Sequence, residues 1–323
     1  MTMRYTTLKR SWLALLLLAL VATTTACGTA VEQDDTRPEE EQNAEPAPLN
    51  TKVFVSAQEL QQFADDGATI IDARSAEAYA AGHFPGAVNT HGGKAWKDSE
   101  GYLIEDVVEA QNKVRALGVD RERPVVIYGA KQSSGTARLF WTLEYYGHGQ
   151  THLYLSPYET LKAELEFTEQ TEAPEVETGD FVIAERESVR ATLDEVQAAI
   201  EGDNAILIDT RREAEHQGTE DRGDPRQGYI PEAVWYYWEN VFDANGDLRP
   251  KGELETEFEE VGLLRDDAVL IPYCQTGTRS ATLYAVYRWL GRDDAANYDG
   301  SWVEWSRALD MEIVQPQNET DGQ

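Results

Sequence analysis

The chain has 323 residues, 41% of them hydrophobic and 10% aromatic, which is ample for ordinary packed cores and suggests two domains. Its formal net charge of -31 excludes nucleic acid as a natural partner, because one polyanion gains nothing by meeting another. Acid at this density suits high solubility or a high-salt environment.

The N-terminus reads as an export signal. Arg4, Lys9 and Arg10 precede an eleven-residue apolar run from Trp12 to Ala22, too short to span a bilayer and right for a signal core. The small residues that follow end in Thr25-Ala26-Cys27-Gly28, which resembles a bacterial lipoprotein signal (residues 1–27) with Cys27 as the lipidated residue. Gly28 suits the outer membrane by the same resemblance, and the expected location is the cell envelope. Thr24 stands where an aliphatic residue is usual, so cleavage by an ordinary signal peptidase is the alternative. Residues 28–50 are acidic, proline-bearing and without apolar periodicity, and are expected to form a disordered tether.

An internal repeat follows. Ser56-Ala-Gln-Glu59 and Thr192-Leu-Asp-Glu195 are both capping-box patterns opening a short amphipathic helix. Each leads into an apolar strand with the same ending, Asp72-Ala-Arg74 and Asp209-Thr-Arg211, at offsets of 16 and 17 residues from the cap. Gly82-His-Phe-Pro85-Gly86-Ala87 is echoed by Gly228-Tyr-Ile-Pro231-Glu232-Ala233, and the strand Pro124–Gly129 by Val269–Cys274. A helix closes at Gly147 in the first copy and at Gly291 in the second. Residues 51–163 and 189–314 therefore form two α/β domains, each a mainly parallel sheet flanked by helices, joined by a Glu/Thr-rich connector over 164–188 and followed by a polar tail over 315–323.

The copies differ where chemistry is expected. In the second, an apolar strand ends at Cys274, a polar loop Gln275-Thr276-Gly277-Thr278-Arg279 follows, and a helix begins at Ser280. Loop N–H groups and the helix N-terminus favour an anion there and favour the thiolate, the nucleophilic form of cysteine. Of the two cysteines, Cys27 lies in the signal, which leaves Cys274 as the only thiol of a processed protein. The first copy has Gly129 in place of cysteine, so its loop supplies no nucleophile and its role is expected to be structural, with a cleft between the two.

Cys-x-x-Gly-x-Arg after a strand, the Gly-x-x-Pro elements and Asp299-Gly300-Ser301-Trp302 resemble rhodanese-type sulfurtransferases in tandem, from Thr51 to about Val314. The resemblance implies catalysis by a Cys274 persulfide, charged by a donor such as thiosulfate and discharged to a thiol or cyanide acceptor, with no cofactor. Gln275, Thr276, Gly277, Thr278, Arg279 and Ser280 would bind the anion. Arg211 is a further anion-binding candidate, although Asp72 and Arg74 in the first copy favour reading Asp209 and Arg211 as a structural ion pair.

Features confined to the second copy, namely Cys274, Gly277, Arg279, Asp299 and Trp302, are favoured for function. Trp235, Tyr236, Tyr237 and Trp238 read as packing rather than pocket wall. Glu213 and Glu215 occupy a region where thiosulfate-using relatives tend to carry a basic residue, which argues against a dianionic donor. No metal site is expected, since the five histidines are scattered, and His148 and His216 read as surface residues.

Three alternatives stand beside sulfur transfer from thiosulfate. Phosphatase or arsenate reductase loops place five residues between cysteine and arginine, against four here. A non-catalytic binding or sulfur-carrier protein would use the same fold, and a mercaptopyruvate sulfurtransferase usually has Gly-Ser-Gly after the cysteine.

Overall fold

Two five-position sheets of the same strand order form the frame. The computed structural model describes residues 35–202 and 204–315. The stretch read as a signal, with Cys27, the first part of the expected tether (28–34) and the tail beyond 315 lie outside the described residues.

The chain enters through a helical turn, α1 (Glu39–Gln42), and the first repeat then runs α2 (Ala57–Asp65), β1 (Thr69–Asp72), α3 (Ala76–Ala81), β2 (Val88–Asn89), α4 (Val107–Ala116), β3 (Val125–Gly129), α5 (Ser134–Tyr145), β4 (Thr151–Pro157) and α6 (Tyr158–Leu165). The second repeat runs β5 (Arg190–Ala191), α7 (Leu193–Glu201), β6 (Ala205–Asp209), α8 (Glu213–His216), β7 (Val234–Trp235), α9 (Lys251–Glu260), β8 (Val269–Tyr273), α10 (Ser280–Leu290), β9 (Asn297–Tyr298) and α11 (Ser301–Arg307). All strand pairs are parallel. The first sheet has the order β2-β1-β3-β4, extended by a bridge from Leu153 to Phe54. The second has β7-β6-β8, joined through a Leu270–Ala295 bridge to the β9-β5 pair. Each element alternates with a helix that covers a sheet face, as expected for α/β units.

Local chemistry explains the common frame. Ser56 and Thr192 both form complete capping boxes with Glu59 and Glu195. β3 and β8 are buried over nearly their whole length because helices cover both faces, and each delivers its following loop to the carboxyl edge of the sheet. α5 and α10 close at Gly147 and Gly291, with φ of 96° and 93°, left-handed positions that favour glycine.

The two repeats share one core. α5 packs along α10, and both are buried almost all round. Within this contact the Tyr284 hydroxyl donates to Glu144 Oε2 at 2.5 Å, and Arg288 Nη2 donates to Glu144 Oε1 at 3.2 Å. Burial nevertheless pushes the Glu144 carboxyl up to about 7, against the opposing pull of Arg288 and Tyr284.

Two expectations need correction here. From Asp35 onward the stretch read as a disordered tether is docked on the first repeat and the connector. Arg37 donates to Ile183 O (2.9 Å), Arg115 to Glu41 (3.0 Å), and the Ala47 and Asn50 N–H groups to Gly147 and Gly149 O (3.0 and 2.9 Å). Polar partners hold it where apolar periodicity is missing. His148 is fully buried, not on the surface, and burial lowers its imidazole to about 4. His216 is also mostly covered, stacked on Tyr229 and 2.9 Å from Asp209.

Candidate active site

The strand β8 ends at Tyr273, and the next residue, Cys274, is a free thiol only 1% exposed. Its loop folds back over the N-terminus of α10, and residues after β9 hold it in place. Ser301 Oγ accepts the N–H groups of Cys274 (3.1 Å) and Gly277 (2.9 Å) while donating to Tyr298 O (2.6 Å). Trp302 and Val303 N–H donate to the carbonyls of Cys274 and Gln275, both at 3.0 Å, and Asn297 Nδ2 donates to Gly277 O at 3.0 Å. Ser301 adopts φ 52°, a left-handed conformation uncommon for a residue with a side chain and typical of functional loops. Gly277, at φ 69°, has no room for a side chain, since a Cβ would meet Asp299 and Arg138.

The sulfur sits in a field that stabilises its anion. Burial raises the thiol, but Arg279, the N–H groups of Ser280 and Thr276 and the Ser280 hydroxyl outweigh it, so the thiol is lowered to about 7. The Ser280 Oγ lies 3.7 Å from the sulfur. Cys274 lines a pocket of ≈ 490 Å³ together with Arg212, Arg222, Tyr237, Trp238 and Glu239.

The sequence candidates divide accordingly. Thr276, Arg279 and Ser280 act on the sulfur, and Gln275 and Thr278 line its pocket, with Gln275 Nε2 donating to Asp224 (3.1 Å). Gly277 has a different role from the anion binding expected of it, because its N–H is spent on Ser301. Arg211 is not among the lining residues. Its guanidinium holds Asp209 (Nε–Oδ1 2.9 Å, Nη2–Oδ2 2.6 Å) and Gly228 O (2.7 Å), and it stacks on Trp302 with the guanidinium carbon 4.4 Å from the ring centroid. Arg74 repeats the unit on Asp72 and Gly82 O, and the hydroxyls of Tyr128 and Tyr273 complete both (2.8 and 3.0 Å). The structural reading of this pair is the one observed.

Asp299 and Trp302 are likewise supports, despite being confined to the second copy. Asp299 forms a fully buried ion pair with Arg138 of the first repeat and accepts the Leu103 N–H at 3.0 Å. The aromatic run does both jobs: Tyr236 packs on Phe258, while Tyr237 and Trp238 also face the pocket.

Three residues were missed. Arg222 faces the pocket and forms no ion pair among the described residues. Arg212 lines it as well. Lys97, from the first repeat, donates through Nζ to Thr276 O. The acidic run around Glu213 and Glu215 concealed the flanking arginines, and no local signal points from Lys97 to a loop 179 residues away.

The Rhodanese-like domain family matches the chain twice, over residues 56–160 and 192–308. The thiosulfate sulfurtransferase of Corynebacterium glutamicum is 30% identical over 254 residues, covering 74% of this chain and 82% of that protein. The sulfur carrier protein TtuD of Thermus thermophilus is 29% identical over 257 residues, covering 73% and 86%. The wild-type EanB structure shares the fold at 19% identity, with a TM-score of 0.73 over 82% of this chain and 69% of its own.

Proposed function

The chain belongs to the rhodanese-like family, of which it carries two copies, and is a sulfurtransferase; we propose that it moves sulfane sulfur from thiosulfate through a persulfide on Cys274. The observation that carries this reading is the buried Cys274 thiol, lowered to about 7 and facing a pocket that Arg212, Arg222 and Arg279 line. The Cys274 thiolate attacks the outer sulfur of thiosulfate. A new S–S bond forms, the old one breaks, and its electron pair leaves with sulfite. Cyanide or a thiolate then takes the outer sulfur and returns the electron pair to Cys274, so the kinetics are ping-pong.

The chain as a whole is acidic, yet the pocket wall carries Arg212, Arg222 and Arg279; Glu215 pairs with Arg279 and Arg212, and Glu220 with Arg212, so Arg222 is the wall cation without an ion pair among the described residues and the one open to a small anion. The basic residue expected near Glu213 is thus supplied from the following loop, by Arg222. Mass spectrometry of the intact protein after thiosulfate treatment tests the proposal: one added sulfur, removable by cyanide, is expected, and an unmodified Cys274 sinks it. The likeness to TtuD supports a carrier reading that uses the same persulfide. Slow release to small thiols combined with fast release to a protein thiol would favour it.

We also propose export with lipidation at Cys27, on the strength of the apolar run and Ala26-Cys27-Gly28. The protein should then fractionate with membranes and be released by Cys27→Ser. A soluble wild type whose mature N-terminus is not Cys27 would overturn the anchor.

A further inference from the structure

The cysteine-free loop of the first repeat opens onto a cleft of ≈ 680 Å³. Gln132, Ser133, Ser134 and Gly135 form one side and His91, Lys94 and Lys97 another, and Thr276 and Thr278 of the second repeat close the end. Ser134, Thr276 and Thr278 line the Cys274 pocket as well, so the two cavities adjoin along these three residues. Their adjacency follows from the packing of α5 on α10, which brings the loops before both helices together.

The cleft is positive in a molecule of net charge -31. Lys94 is exposed and forms no ion pair among the described residues. Lys97 is tied to two carbonyls, Gly101 O and Thr276 O, and burial, with Arg138 nearby, lowers its ammonium to about 8 against the opposing pull of Asp299. His91 Nδ1 accepts the N–H groups of Gly93 and Lys94 (3.2 and 3.3 Å), which puts its ring proton on Nε2 as a donor. At the head of the twelve-residue α5, Ser133 makes no side-chain cap, so the positive end of the helix adds to the field. Arg74 also lines the cleft but is neutralised by Asp72, and Glu159 is the one acid lining it.

Thiosulfate and cyanide are too small to use this space. A longer molecule can have its sulfur at Cys274 and a negative group beside Lys94. We propose that the first repeat forms the acceptor subsite, binding the carboxylate end of a low-molecular-mass thiol whose sulfur meets the Cys274 persulfide. The inference rests on the persulfide reading above. In the step it serves, the thiol loses its proton to solvent and its thiolate attacks the outer persulfide sulfur. The S–S bond to Cys274 breaks, the electron pair returns to Cys274, and the acceptor leaves as its own persulfide.

The test compares discharge of the preformed persulfide by glutathione, which carries two carboxylates, with discharge by neutral 2-mercaptoethanol. Lys94→Glu should lower the ratio of the two kcat/KM values by about tenfold, Lys94→Arg should preserve it, and added salt should shrink the difference. An unchanged ratio, or equal slowing with both thiols, overturns the proposal. Binding of S-methylglutathione to Cys274→Ser protein decides the matter independently of persulfide chemistry. Saturable binding weakened by Lys94→Glu is expected; no binding, or binding indifferent to Lys94, overturns the subsite. A protein that binds the analogue yet never takes up sulfur from thiosulfate would instead overturn the persulfide reading alone.

Discussion

Glu215 grips Arg279 with both oxygens, Nη1 to Oε2 at 2.6 Å and Nη2 to Oε1 at 2.8 Å, and the carboxylate is only 2% exposed. Burial would raise this carboxyl, yet Arg279 and Arg212 lower it to about 2, so it stays ionised. Arg279 therefore reaches Cys274 as a partly compensated charge, with two of its N–H groups already committed. On the proposed reading its task is to tune the sulfur, while Arg222, which forms no ion pair among the described residues, is left to meet the donor.

Removing the compensation should strengthen the tuning. Glu215→Gln takes away a negative charge near the thiolate, so the acid limb of persulfide formation, expected near pH 7, should move to lower pH by about 0.5–1 unit. Arg279→Ala should move it to higher pH and slow the donor half-reaction by roughly 30- to 1000-fold. Single-turnover rates against pH measure both, and a limb unmoved in either variant would detach Arg279 from the sulfur.

Cys274→Ser should lose turnover and the added sulfur mass together, because a serine hydroxyl at its ordinary pKa is a poor nucleophile towards sulfur. Sulfur transfer at the wild-type rate by this variant would end the account of the site.

Arg222→Ala should raise KM for thiosulfate by about 3- to 10-fold with little change in kcat, since an exposed charge contributes mainly to capture. Steady-state kinetics at low and high salt check this, and the difference should narrow as salt rises. A fall in kcat alone would mean that Arg222 acts on the reaction step instead.

Arg211→Ala should act by lowering stability rather than by weakening substrate binding. Breaking a buried pair from one side typically costs about 3–5 kcal/mol, and Arg74→Ala should behave alike because it dismantles the same unit in the first repeat. Burial pushes the Asp209 carboxyl up, but Arg211 and His216 hold it well below its ordinary 3.8. This contribution to stability is full above that value and is lost as pH falls towards the folded-state value. Without Arg211, acid unfolding should therefore begin at higher pH, as read by circular dichroism. A variant of wild-type stability with a raised thiosulfate KM would return Arg211 to the binding site.

The repeat, the capping boxes and the strand–loop–helix around Cys274 could all be read from the chain, because each is short-range. A cap and its N3 glutamate lie three residues apart, and a buried parallel strand announces itself as an apolar run. Even the structural nature of Arg211 was signalled by its twin, Arg74. What needed the tertiary structure was the choice among equivalent charges. Nothing local marks Arg212 and Arg222 as the arginines that line the pocket; the path of the loop between His216 and Gly228 decides it. Comparing the copies also misled for Asp299. That residue is absent from the first repeat because its partner, Arg138, belongs to the other half of the contact between repeats. Lys97 reaches Thr276, and Ser134 reaches the Cys274 pocket, only because α5 lies against α10. Burial of two apolar helices drives that packing, and the polar cleft beside Cys274 is its consequence.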